Sequence, residues 1–221
     1  MTEFDADEYV AFDLDRPAGE NKAAQRVSVD DGDEPDDEDL DADEDDDDDD
    51  DDDDGDDDLE DAAEDEIDFV IAAYREDGQP QVQALSYELA NELEEMVAQL
   101  RRLPGDAGAI GFVSLVEEVF VIVRVRGQHV QVLLSDGAAA ADWPIARDVA
   151  DYLGVDIPDA EDEDEPMGDL GLLADLGVSE FDLIGILDNL DLGSDLMLME
   201  IADKINIGPQ FRKIAEAAFP S

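Results

Sequence analysis

The chain has no cysteine and a single histidine, His129. Disulfides and thiolate chemistry are thereby excluded, and a zinc site of ordinary Cys/His composition cannot be assembled. Basic residues are scarce: 12 Lys and Arg stand against 67 Asp and Glu, a formal charge of −55 over 221 residues. Proteins hold nucleic acid chiefly by setting Lys and Arg against phosphates. This composition argues against direct nucleic-acid binding, and anionic membranes would repel the chain for the same reason. No apolar run approaches the ~20 residues of a membrane span, and none follows a basic N-terminal region as in a signal peptide. The expected location is therefore cytoplasmic. Glycine-rich phosphate loops and serine-nucleophile motifs are missing as well. Charge alone points to a basic protein partner.

What is present is unevenly spread. Residues 1–29 form a mixed N-terminal extension, expected to be mostly disordered. Its Phe4, Tyr9, Val10, Phe12 and Leu14 suffice for a short docked element but not for a domain. Residues 30–66 hold 29 acidic residues in 37 positions, ten of them consecutive from Asp45 to Asp54. Such a tract cannot bury enough apolar surface to offset its ordering entropy, which predicts disorder. From Ile67 onward 31 acidic residues face 9 basic ones, a net −22. That part is long enough to bury roughly 68–70% of its surface.

The sequence predicts an α+β domain over 67–155, an antiparallel sheet of about four to five strands with two packed helices. An acidic linker over 156–167 and a small all-helical domain over 168–221 follow. The central signal is GFVSLVEEVFVIVRVRGQHVQVLLSD, from Gly111 to Asp136. Gly127-Gln128 suits a type II′ turn, where the first central residue needs φ > 0. That turn pairs Arg126 with His129, Arg124 with Gln131 and Val123 with Val132. Alternation then puts Val121, Val123, Val125, Val130, Val132 and Leu134 on one face. The other face carries Arg124, Arg126, His129 and Gln131 near the turn, and Ile122 with Leu133 farther along. Phe112–Val116 is apolar on both faces, as a central strand is. Upstream, IDFVIAAY reads as a strand, Asp77-Gly78 as a turn and QVQAL as a return strand, with Pro80 suited to a sheet edge. Ser86 is the expected cap of a helix with the stripe Leu89, Leu93, Met96, Val97 and Leu100, ended by Pro104-Gly105. A second helix lies around DWPIARDVADYLG, with Asp142 as its expected cap, Trp143 as a core anchor, and Ile145, Val149, Tyr152 and Leu153 as its buried stripe. Four short helices are predicted near 169–176, 179–190, 194–206 and 209–219, with Ser179 and Asp182 forming a capping box.

Candidate chemistry is thin. Asp50, Asp52, Asp54, Gly55 and Asp61 nearly match a calcium loop, but any Gly inside poly-Asp does so. Position 8 is Asp57 instead of an apolar residue, and no amphipathic helix flanks the run. Loose counter-ion binding is the expectation there, with no specific metal and no cofactor. As a general base His129 would need a nucleophile and an orienting partner, and an exposed hairpin histidine is the simpler reading. Arg124, Arg126, His129 and Gln131 make the one basic cluster, a solvated face or a contact for an acidic segment. Met197 and Met199 suit either core packing or an adaptable partner groove.

The ordered part resembles the bacterial tRNA adenosine deaminase-associated proteins. The resemblance rests on VFVIVRVRGQHVQVLLSD (119–136), DWPIARDV (142–149), LGVDIP (153–158), GDLGLLADLG (168–177) and PQFRKIAEAAF (209–219). It spans roughly 67–220 and leaves out the first 66 residues. It implies association with the enzyme that converts adenosine to inosine in tRNA, and it brings no catalytic residues with it. The zinc and glutamate signature of such a deaminase is missing from this sequence. A non-enzymatic accessory protein that binds a basic partner, the deaminase above all, is the expectation. The alternatives are an acidic nucleic-acid mimic or chaperone-like binder of basic proteins and, lower, an enzyme with a carboxylate-only site.

Overall fold

The computed structural model describes residues 59–105, 108–158 and 165–218. The expectations for 1–29, for most of the acidic tract and its calcium-like loop, and for the middle of the 156–167 linker lie outside them. The end of the tract is placed: Ala62 is buried, and Asn91 accepts its backbone N–H through Oδ1 at 2.8 Å while donating through Nδ2 to its carbonyl.

Six strands form one antiparallel sheet in the order β2-β1-β3-β4-β5-β6. They are β1 (Ile67–Glu76), β2 (Gln79–Ala84), β3 (Ala109–Leu115), β4 (Val119–Arg126), β5 (His129–Leu134) and β6 (Met167–Gly168). Asp77 and Gly78 turn β1 into β2 with φ of 51° and 77°, the paired positive values of a type I′ hairpin. β2 is an edge strand carrying Pro80, as expected. The β4–β5 register is the one derived from the turn: Arg126 opposite His129, Arg124 opposite Gln131, Val123 opposite Val132. Gly127 has φ of 60° there. The sheet has one strand beyond the expected count. β6 is two residues long and pairs Leu133 with Gly168 and Leu134 with Met167, too short to show a period.

Both faces of the sheet are covered. On one lie α1 (Leu93–Arg102) and α2 (Pro144–Leu153), packing Leu93, Met96, Leu100, Ile145 and Val149 against Val121, Val123, Val132 and Leu134. On the other lie α3 (Glu180–Leu187), α4 (Ser194–Lys204) and α5 (Gly208–Ala218). Phe211 of α5 sits edge-on to Phe69 of β1 at 5.5 Å and to Phe112 of β3 at 5.2 Å. The C-terminal helices thus share one hydrophobic cluster with the sheet. This explains why β3 is apolar on both sides.

Four local expectations are corrected. The helix expected to start at Ser86 is divided into a 3₁₀ turn, Tyr87–Ala90, and α1. Asn91 turns to Ala62, and Asp148 of α2 accepts the Leu93 N–H at 2.9 Å, capping α1 from a distant helix. Trp143, half-buried, is the N-cap of α2 in place of Asp142. Tyr152 is 52% exposed because α2 buries Ala146 and Ala150 beside Ile145 and Val149, and ends at Gly154 in the left-handed region. The helix expected at 169–176 is only a 3₁₀ turn, Ala174–Leu176, since Asp169 Oδ1 takes the Gly171 N–H at 2.8 Å and opens a turn instead.

Candidate functional site

Arg124 is not on a solvated face: it is 3% exposed. Alternation fixed the side of the sheet to which it belongs, and the segment Leu172–Leu176 covers that side. Its guanidinium donates to the Leu172 carbonyl and to Asp175 Oδ1, and through the second nitrogen to Asp175 Oδ2 at 2.8 Å. This is a bidentate fork. The hydrogen bonds from Arg124 hold the Asp175 carboxyl below its usual range, with the Arg124 charge adding to them and Arg126, 3.7 Å away, adding less. Arg126 donates to Gln131 Oε1 at 2.9 Å, and Gln131 Nε2 donates to Asp169 Oδ2 at 2.6 Å. The basic cluster thus meets an acidic segment of its own chain, Asp169 to Asp175. Beside it is a cavity of about 40 Å³ lined by Tyr74, Arg75, Arg124 and Leu176, room for little more than water.

The other candidates divide. His129 is exposed at the hairpin tip. Met197 is buried in the cluster beneath α4, and Met199 is half-buried against it. The exposed apolar side chains of this region are Phe181, Leu190 and Leu196. The sequence offered Met197 and Met199 of this region as a partner groove, and its exposed apolar positions are these others instead.

A polar network joins β1, β3 and α4. Ser114 Oγ donates to Asp68 Oδ2 at 2.7 Å and lies 2.7 Å from Ser194 Oγ, and Asp68 also accepts the Glu117 N–H. Both serines are buried, Ser114 at 0% and Ser194 at 1% exposure. A nucleophile must reach its substrate, and neither hydroxyl is exposed; the network ties the start of α4 to β1 and β3. Among the described residues no group of three or more His, Cys, Asp or Glu is arranged to hold a metal ion, and no helix is long and apolar enough to cross a membrane.

Between α1 and α2 runs a groove of about 490 Å³, with Leu93, Val97 and Tyr152 along it and Glu92, Glu94, Asp148, Asp151 and Arg101 as its charged lining. Lost hydration raises the Glu92 carboxyl above its usual range, with repulsion from Glu95, Asp148, Glu94 and Asp61 adding to it.

The chain has recognisable relatives. No solved structure matches it significantly. Protein Rv3753c of Mycobacterium tuberculosis is 35% identical over 158 residues, which cover 70% of this chain and 91% of that protein. The model of the Rv3753c-like tRNA adenosine deaminase-associated proteins matches residues 68–208, running from the first strand to the start of the last helix and taking in the Arg124–Asp175 fork. The resemblance carried by the hairpin, the second helix and the GDLGLLADLG segment is therefore one of descent, and the chain belongs to the Rv3753c-like tRNA adenosine deaminase-associated protein family.

Proposed function

We propose that this protein is a non-enzymatic, cytoplasmic accessory that binds a basic protein partner, the tRNA adenosine deaminase. The observation that carries the reading is family membership, since the family is named for association with that enzyme. Charge supports it. A deaminase acting on tRNA must hold a polyanion and so presents a basic surface, and the chain from Ile67 onward is net −22. The hydroxyls of Ser114 and Ser194 are buried, which weighs against either serving as a nucleophile. Among the candidate contact residues, His129 and Arg126 are exposed at the hairpin tip, Arg126 while bonded to Gln131, and Gln131 and Met199 are half-covered. A second reading, an acidic mimic that binds basic proteins broadly, is favoured by the tract of 29 acids in 37 residues.

Titration calorimetry with the deaminase of the same organism separates these readings. Binding should weaken steeply as salt rises, deletion of 1–66 should flatten that dependence without abolishing binding, and added tRNA should compete. Binding that vanishes with the tract would favour the mimic. No binding at any salt would remove the accessory reading.

A further inference from the structure

Helix α3, with the sequence EFDLIGIL, is apolar around most of its circumference, a pattern that calls for cover on every side. One side has it: Leu183 and Ile186 are buried. On the opposite side Phe181 is 86% exposed. A β-carbon built on Gly185 would meet nothing within 4 Å, so the outer side is open one turn farther along. Beyond the helix end Leu190 is 74% exposed, and Leu196, in the first turn of α4, is 46% exposed. The Lys204–Asp182 ion pair, 3.3 Å, ties the end of α4 to the start of α3. The two helices therefore run antiparallel, and Leu196, about two turns before Lys204, lies toward the end of α3 from which Leu190 emerges. The acids next to these side chains along the chain are Glu180, Asp182, Asp188, Asp191 and Asp195, and the one nearby Lys, Lys204, is engaged by Asp182.

We infer that this exposed apolar ridge, flanked by acids, docks a basic amphipathic segment of a protein partner. Apolar side chains of the segment would cover Phe181 and Leu190, while its Lys or Arg would face Asp188, Asp191 and Asp195. The inference rests on the accessory reading above and names the surface that reading needs. Charge selects the occupant. A second copy would bring the same acids into contact, and like charges juxtaposed at an interface oppose association strongly. The chain's own first 29 residues carry seven acids against three bases, so they too are disfavoured.

The test titrates the full-length protein, at about 150 mM salt where long-range attraction is screened, with two 14-residue helical peptides, one of Leu and Lys, one of Leu and Glu. Hydrogen exchange maps the contact. The Leu/Lys peptide should protect 180–199, and the Leu/Glu peptide should not bind. The double variant Phe181→Ser/Leu190→Ser, altered only at exposed positions, should weaken Leu/Lys binding at least tenfold, whereas Tyr152→Ser should leave it unchanged. Equal affinity of the double variant, protection confined to other regions, or protection of this face that rises with protein concentration in the absence of peptide would overturn the proposal. The same variants are then titrated with the deaminase. Failure of the unaltered protein to bind it would remove the accessory reading while leaving the peptide result to stand or fall by itself.

Discussion

Replacing Asp175 with Ala isolates the best-defined electrostatic contact in the fold. Arg124 is 3% exposed, and its fork to Asp175 supplies two of the three hydrogen bonds given to its guanidinium. A hydrogen bond to a charged group contributes about 1.5–3 kcal/mol, and stripping a buried charge of its partner costs about 3–5 kcal/mol. The Asp175 side chain is 55% exposed, so water already screens part of the attraction, and Arg124 keeps the Leu172 carbonyl. The net loss should be about 2–3 kcal/mol, read from urea unfolding followed by the fluorescence of Trp143, the only tryptophan. The pH dependence has a definite sign. Arg124 lowers the Asp175 carboxyl in the folded state. Its contribution is therefore complete above the unfolded value of about 3.9 and is lost as pH falls through the lower folded value. The difference between parent and variant should be constant from pH 5 to 7 and close below about pH 4. In an Arg124→Met background the same Asp175→Ala change should cost less than about 0.5 kcal/mol. Additive effects, or a gap indifferent to acid, would refute the account.

Four further substitutions test other parts of the structure by the same unfolding assay. Val123→Asp places an unpaired charge at a position with 0% exposure and should cost more than about 4 kcal/mol. Gln131→Glu, on the opposite face, turns a donor to Asp169 at 2.6 Å into a like charge but keeps Arg126 as its partner; about 1 kcal/mol or less is expected, and equal effects of the two would refute the register. Ser194→Ala removes one hydroxyl of the buried serine pair while Ser114 keeps Asp68, an expected loss of about 1 kcal/mol. Gly168→Ala should detach the β6 edge: φ is 118°, and a β-carbon would stand 2.2 Å from the Val132 carbonyl oxygen. A loss below about 1 kcal/mol would show that β6 shifts freely.

The β4–β5 hairpin was legible residue by residue because turn chemistry and alternation act together. Gly127 selects the turn, and a slip of one residue would send Val123 and Val132 into the opposite layer. The capping box was equally legible: Ser179 Oγ accepts the Asp182 N–H, and Asp182 Oδ2 accepts from Ser179 in return. Alternation names a side chain's face and says nothing of what covers that face. Arg124 is covered by residues some fifty positions downstream, beyond any local pattern. The clue lay in Ile122 and Leu133, apolar on the same face, which already required a second layer there. The division at Asn91 was hidden for a related reason, because the groups that decide it, Ala62 and Asp148, are remote in sequence. The exposed ridge was hidden too, since α3 is so apolar that its pattern distinguishes no face.

Charge and shape have different tasks in the proposed association. Attraction between surface charges decays over about 8 Å at physiological salt and favours any basic surface, so it speeds encounter more than it discriminates. Discrimination needs apolar anchors held in fixed positions. The helix that carries Phe181 is held in that way. Its start is closed by the capping box, and Asp182 also meets Lys204 of α4, contacts that keep its carboxyl below the usual range. The acids of 30–66 therefore bear on how binding varies with salt, and the ridge on how tightly one partner is kept. Removing the first 66 residues should change the slope of log affinity against log salt. Phe181→Ser/Leu190→Ser should lower affinity by the same factor at every salt concentration, because apolar contact is not screened. A double variant whose defect disappears at low salt would mean that Phe181 and Leu190 only lie near an electrostatic contact and do not form the docking surface.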